Sequence, residues 1–165
     1  MKIKGRVWKY GDDVNTDVIF PGKYTYTIKD RAEMAKVACE DLDPMFTKEA
    51  QKGDIIVAGK NFGCGSSREQ AVTCIKERGI GCIIAKGFAR IYYRNALNEG
   101  LPIIVSAEAV EAIKAGEQAE IDFDQSQIVT ASGQKFAFPA YPEFVRGLIE
   151  DGGLIPHVQK KLKKS

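Results

Sequence analysis

The stretch that decides the fold is residues 54–106, DIIVAGKNFGCGSSREQAVTCIKERGIGCIIAKGFARIYYRNALNEGLPIIVS. Three apolar runs punctuate it: 54–62 (DIIVAGKNF), 82–86 (CIIAK) and 103–106 (IIVS). Each reads as a strand buried on both faces, because no polar residue alternates with the isoleucines. Between them lie two helical patterns. REQAVTCIKERG places Ala71, Val72, Cys74 and Ile75 on one apolar face and ends at Gly79, and ARIYYRNALNEG ends at Gly100. A β-α-β-α-β order predicts parallel strands joined by right-handed crossovers, and hence an α/β fold.

The flanks add to this core. Residues 3–10 (IKGRVWKY) read as a short strand, followed by a turn at Gly11-Asp12-Asp13. DRAEMAKVAC from Asp30 reads as a helix, with Asp30 as N-cap and Glu33 closing a capping box. Shorter helices are expected over 44–51 and 107–115. Beyond them, QAEIDFD, QIVTAS and QKFAFP alternate between turn residues and predict an antiparallel meander. The last stretch reads as two short helices broken at Gly152-Gly153 and Pro156. With 165 residues and neither a repeat nor a linker, residues 1–165 are expected to form a single domain.

Composition narrows the chemistry. A 44% hydrophobic, 28% charged chain is ordinary for a globular protein with a core. No apolar run approaches the roughly 20 residues of a membrane-spanning helix, so no membrane partner is expected. The N-terminal residues lack the apolar stretch of a signal peptide, which makes a cytoplasmic location the expectation. The net charge of +2 resides in the lysines of 160–164, without which 20 basic residues face 22 acidic ones. That cluster reads as a solvated end, and nothing else points to nucleic acid. One histidine, His157, and four cysteines with no C-x-x-C spacing leave no metal site on this chain and no evident hydrolytic triad.

The loop 63–69, GCGSSRE, falls at the carboxyl end of a parallel strand, where ligands bind. Its glycines admit close approach, Ser66, Ser67 and Arg68 are expected to open the next helix, and Arg68 offers a planar fork for a carboxylate. The same letters, Ser66-x-x-Glu69, also satisfy a capping box that would serve stability alone. The acidic turn Asp12, Asp13, Asp17 could hold a hard cation, yet Asp and Asn are also ordinary turn and capping residues.

Four segments together carry a resemblance: GDDVNTDVIFPG (11–22), NFGCGSSREQA (61–71), KGFARIYYRNALNEGLPI (86–103) and GGLI (152–155). In this order, spread over nearly the whole chain, they resemble the isopropylmalate isomerase small-subunit family, the counterpart of the swivelling C-terminal domain of aconitase. The resemblance implies a swivelling β/β/α domain, with a parallel core plus antiparallel strands, that works only beside a large subunit. That partner is expected to carry a 4Fe–4S cluster acting as a Lewis acid, with no cofactor on this chain. The implied reaction interconverts 2-isopropylmalate and 3-isopropylmalate through 2-isopropylmaleate, by dehydration and rehydration, in leucine biosynthesis.

Residue by residue, Ser66 matches the family's catalytic serine base, and Ser67 matches a serine expected to bond a substrate carboxylate. Arg68 matches the carboxylate-holding arginine. Asp17 matches an active-site aspartate expected to support a histidine of the partner. Tyr24, Thr25, Tyr26 and Thr27 fall where relatives carry a substrate-discriminating flap. Homoaconitase-type relatives have arginine at its third position; Tyr26 stands there, which favours an uncharged alkyl group. A homoaconitase or dual-specificity hydro-lyase small subunit is the alternative, and a non-catalytic carboxylate-binding module is the alternative of another class. Arg90 and Asn95 read equally as structural polar groups or site residues, and self-association of the isolated chain stays open.

Overall fold

The structure, a computed structural model, describes residues 1–164. Among these, seven strands form one sheet: β1 (Lys2–Lys9), β2 (Ile55–Ala58), β3 (Cys82–Ala85), β4 (Ile103–Val105), β5 (Gln118–Asp122), β6 (Gln127–Thr130) and β7 (Lys135–Ala137). Their order is β4-β3-β2-β1-β5-β6-β7. β1 belongs to both halves. Val7–Lys9 pair in parallel with Ile55–Val57, whereas Lys2–Arg6 pair antiparallel with Asp122–Gln118. The parallel core and the antiparallel meander expected from the sequence are therefore both present, joined through one strand.

The helices are α1 (Thr16–Ile19), α2 (Arg31–Lys36), α3 (Pro44–Glu49), α4 (Gln70–Glu77), α5 (Arg90–Asn98), α6 (Ala107–Ala112), α7 (Glu143–Asp151) and α8 (Leu154–Lys164). All residues of β2 and β3 are buried. Ile56, Ala58, Ile83 and Ala85 enter one cluster with Phe20, Val72, Ile75 and Tyr92, while Ile55, Val57, Cys82 and Ile84 enter another with Val110, Ile113, Ile121 and Ile128. Successive residues thus serve opposite faces, as the twofold period of a strand requires. Each buried isoleucine contributes on the order of 1.5–3 kcal/mol, so two cores share the weight of one thin sheet. Asp54, just before β2, is buried and accepts from the Trp8 indole (2.9 Å) and the Gln51 N–H (2.9 Å), which satisfies a carboxylate that burial would otherwise penalise.

Several boundaries differ from the sequence reading, each for a physical reason. β2 stops at Ala58 rather than Phe62, because Gly59 and Lys60 donate to Gly11 O and the Asp12 carboxylate. α2 stops at Lys36 rather than Cys39, whose positive φ of 60° turns the chain so that its N–H reaches Ile19 O at 2.7 Å. Asp30 does cap α2, but Glu33 pairs with Lys36 (2.8 Å). Gly152 ends α7 in the left-handed conformation, whereas Pro156 breaks nothing: it occupies the first turn of α8, where its missing N–H has no intrahelical partner to lose.

Candidate active site

The loop after β2 is laced to the segment before α1. Gly63 N–H donates to Val14 O and Thr16 N–H to Cys64 O, both at 2.8 Å, and Asn15 and Cys64 form a parallel bridge. The glycines are needed for this approach. A Cβ on Gly63 (φ +84°) would stand 2.2 Å from Tyr92 Cγ, and one on Gly65 (φ +97°) 2.6 Å from Asn15 Oδ1. Tyr92, buried in α5, fixes the opposite wall by donating its hydroxyl to Ala71 O at 2.9 Å.

Within this frame Arg68 collects four acceptors. Nε donates to Ser66 Oγ at 3.1 Å, Nη1 to the Thr25 hydroxyl, and Nη2 to the Asp17 carboxylate and to Phe20 O at 3.3 Å. The Arg68 side chain is only 16% exposed, that of Asp17 64%. The Thr16 hydroxyl donates to Ser66 O at 3.0 Å and lies 3.4 Å from Ser66 Oγ. Ser66 and Ser67 themselves are exposed. A cavity of about 190 Å³ opens between this loop and the first turns of α5, lined by Thr16, Ser66, Ser67, Arg68, Arg90 and Asn95 among others.

Two sequence expectations change here. Ser66, Ser67 and Arg68 do not open a helix, and Ser66-x-x-Glu69 is no capping box. α4 begins at Gln70, with Glu69 as an N-cap that makes no side-chain bond. The hydroxyl of Ser66 faces Arg68 instead, because the loop follows its lacing to the Asn15–Thr16 segment. Positive charge at Ser66 thus comes from the guanidinium contact rather than from a capped helix end.

The flap residues divide. Thr25 meets Arg68, and its carbonyl accepts from Gln70 Nε2 at 3.0 Å. Tyr24, in a short 3-10 turn (Gly22–Tyr24), sends its hydroxyl to the Glu40 carboxylate at 3.0 Å, away from the loop, while Tyr26 (88% exposed) and Thr27 face solvent. The acidic turn is used by the neighbouring loop: Asp12 accepts from Lys60 backbone N–H (2.7 Å) and Asp13 from the Asn61 side-chain Nδ2 (3.0 Å). Among the described residues no group of three His, Cys, Asp or Glu side chains could hold a metal ion. All four cysteines are free, and burial raises the thiol pKa of Cys39, Cys74 and Cys82. Thr16 and Asn15 were missed as site residues, because a threonine and an asparagine in a turn carry no pattern until the two segments meet.

Residues 14–108, which hold the laced turn, the serine loop and α5, match the family described as the aconitase C-terminal domain. The chain belongs to the aconitase C-terminal domain family. Within it, a 3-isopropylmalate dehydratase small subunit from Ruminiclostridium cellulolyticum is 52% identical over 163 residues, covering 98% of this chain and 99% of its own. A 2,3-dimethylmalate dehydratase small subunit from Eubacterium barkeri is 50% identical over 159 residues, covering 96% and 97%. A crystal structure of 3-isopropylmalate dehydratase from Methanocaldococcus jannaschii superposes with a TM-score of 0.91 at 45% identity, covering 100% of both chains. The aconitase C-terminal domain fold expected from the four motifs is thus the fold observed.

Proposed function

We propose that this chain is the small subunit of a 3-isopropylmalate dehydratase, a hydro-lyase that isomerises 2-isopropylmalate and 3-isopropylmalate through 2-isopropylmaleate together with a large subunit. The observation that carries the reading is the Arg68–Ser66 contact at 3.1 Å, in a chain 52% identical end to end to such a subunit. A serine hydroxyl is a weak base in water. A guanidinium donating to its oxygen favours the alkoxide, which then takes the proton from the carbon beside the departing hydroxyl. On rehydration the same hydroxyl returns that proton, and Ser67 hydrogen-bonds a substrate carboxylate.

Asp17 has two partners in this proposal: Arg68 in the isolated chain, and an acid/base histidine of the large subunit in the complex. Thr25 anchors the flap to Arg68, so the segment 24–27 is positioned by the same cation that tunes Ser66. The chain's own donors do not suit a 4Fe–4S cluster, since no three of them come together among the described residues. In this proposal the large subunit carries the cluster, and no step on it is assigned to this chain. Four free thiols accord with the reducing cytoplasm.

One observation favours a second reading. The Eubacterium barkeri relative, named for 2,3-dimethylmalate, is 50% identical. Both named substrates carry uncharged alkyl groups, which suits Tyr26 at the flap position where a charged substrate would want arginine. The test is anaerobic reconstitution with the large subunit, followed by hydration of 2-isopropylmaleate and of dimethylmaleate. Faster turnover of 2-isopropylmaleate is expected. Faster turnover of dimethylmaleate would move the assignment to the second reading, and activity without any partner would refute the small-subunit reading.

A further inference from the structure

Thr16 is held at each of its polar groups. Its N–H donates to Cys64 O at 2.8 Å, its carbonyl accepts from Phe20 N–H at 2.9 Å, and its hydroxyl donates to Ser66 O at 3.0 Å. The residue is 1% exposed, so water has little access to that hydroxyl. A hydroxyl carries one hydrogen, and the bond to Ser66 O uses it. Across the 3.4 Å to Ser66 Oγ, Thr16 can therefore only accept, and the Ser66 hydroxyl is the donor. On its other side Ser66 Oγ accepts from Arg68 Nε at 3.1 Å. The serine thus aims its proton at Thr16 and a lone pair at the guanidinium. The Thr16 link is long for two hydroxyls, which usually sit about 2.7–2.8 Å apart. Catalytic hydrogen bonds are often long in the free protein and tighten only in the substrate complex.

Resting on the dehydratase reading above, we propose that Thr16 is a positioning residue for the serine base, a hydroxyl rotor that accepts from neutral Ser66 and donates to its charged oxygen. When Ser66 gives up its proton, the single Thr16 hydrogen turns from Ser66 O toward Ser66 Oγ. No covalent bond to Thr16 forms or breaks. The alkoxide is then met from two sides, by the Nε–H of Arg68 and the O–H of Thr16. A hydrogen bond to a charged oxygen is shorter and roughly twice as strong as its neutral counterpart, and it gains further where water is excluded. Ser66 O, released by the turn, belongs to an exposed residue and can bond water instead. The fixed backbone and branched Cβ of Thr16 restrict where its hydroxyl can point. Once Ser66 has taken the substrate proton, the Thr16 hydrogen turns back to Ser66 O and the new Ser66 O–H aims at Thr16 again.

The experiment uses the reconstituted two-subunit enzyme with Thr16→Val, which removes the hydroxyl at nearly constant shape, and Thr16→Ser, which keeps the hydroxyl and removes the methyl. It measures kcat and KM for dehydration of 3-isopropylmalate to 2-isopropylmaleate across the neutral and alkaline range. Thr16→Val is expected to lower kcat about ten- to a hundredfold near neutrality, the range for losing a hydrogen bond to a charged group. KM changes by less than about threefold, because the lost interaction is made to the base and not to the bound substrate. The rising limb of kcat moves to higher pH, since Ser66 ionises less readily without its second donor. Thr16→Ser recovers most of the loss. The other ionisable groups around Ser66 are Arg68 and Cys64 of its loop, Asp17 of α1, and Arg90 and Tyr92 of α5. All of them are retained in both variants, so a displaced limb reports Ser66. An unchanged kcat in Thr16→Val, a loss equal at every pH, or a Thr16→Ser as impaired as Thr16→Val would each overturn the proposal. Failure of Thr16→Val to co-purify with the large subunit would also overturn it and make Thr16 an assembly residue. An inactive wild-type complex would instead count against the dehydratase reading itself.

Discussion

The Nε–H of Arg68 donates to the hydroxyl of Ser66 at 3.1 Å, two residues away along the chain. So short a link is achieved without helical geometry, since α4 starts only at Gln70. The other arm of the same guanidinium reaches Asp17 and Thr25, from segments more than 40 residues distant. One side chain therefore registers the serine, the aspartate and the flap together.

Ser66→Ala removes the hydroxyl that Arg68 and Thr16 surround. Turnover of the reconstituted enzyme is expected to fall by about 100- to 10,000-fold, the range for a lost general base. Co-purification with the large subunit remains, because Ser66 is exposed and its side chain supports no packing. Full activity of the variant, measured as hydration of 2-isopropylmaleate, would remove serine from the base role.

Arg68→Lys keeps the charge and loses the fork. An ammonium cannot span Ser66, Thr25, Asp17 and Phe20 O at once, so kcat is expected to drop by about 10- to 100-fold. Hydrogen exchange at residues 22–28 should quicken in the same variant, since the flap loses its anchor at Thr25.

Gly63→Ala sets a Cβ against the Tyr92 ring at a φ of +84°. Strain and overpacking together are expected to cost about 2–4 kcal/mol, read from denaturant midpoints. Gly11→Ala is the control. Nothing lies within 4 Å of its added Cβ, and its stability should change by less than about 0.5 kcal/mol.

The hairpin of α7 and α8 is acid-sensitive through Asp151. Its carboxyl lies below its ordinary 3.8, first through the hydrogen bond with His157 Nδ1 (2.7 Å) and then through Lys160 (3.0 Å). A depressed folded value gives stability that is present above the unfolded value and lost as pH falls through the folded one. Wild type should therefore lose more stability than Asp151→Asn between about pH 5 and pH 3. Equal losses would show that the Asp151 contacts do not contribute.

What was legible beforehand follows the reach of each interaction. β2 and β3 could be read because every residue in them is buried, and a run of isoleucines says so locally. The capping of α2 by Asp30 could be read for the same reason, since its acceptor and donor sit two residues apart. The start of α4 is not legible locally, because Ser66 looks like a cap to its neighbours while its real environment comes from Thr16, 50 residues earlier. Tyr24 reads in sequence as part of the flap, yet its hydroxyl finds Glu40, a partner no spacing rule identifies. The serine and arginine of the site are visible as residue types, but the burden placed on Arg68 appears only in three dimensions.

The lacing of Val14–Thr16 onto Gly63–Cys64 also carries a message about when the protein becomes competent. Those bonds close a loop of nearly 50 residues around β2, which must itself be seated against β1 beforehand. Contacts of such separation recover the chain entropy of closure only late on the folding route. The serine pocket therefore needs the same long-range closure as the β1–β2 pairing and cannot be built from local structure alone. A nascent or truncated chain would own every residue of the site and none of its geometry.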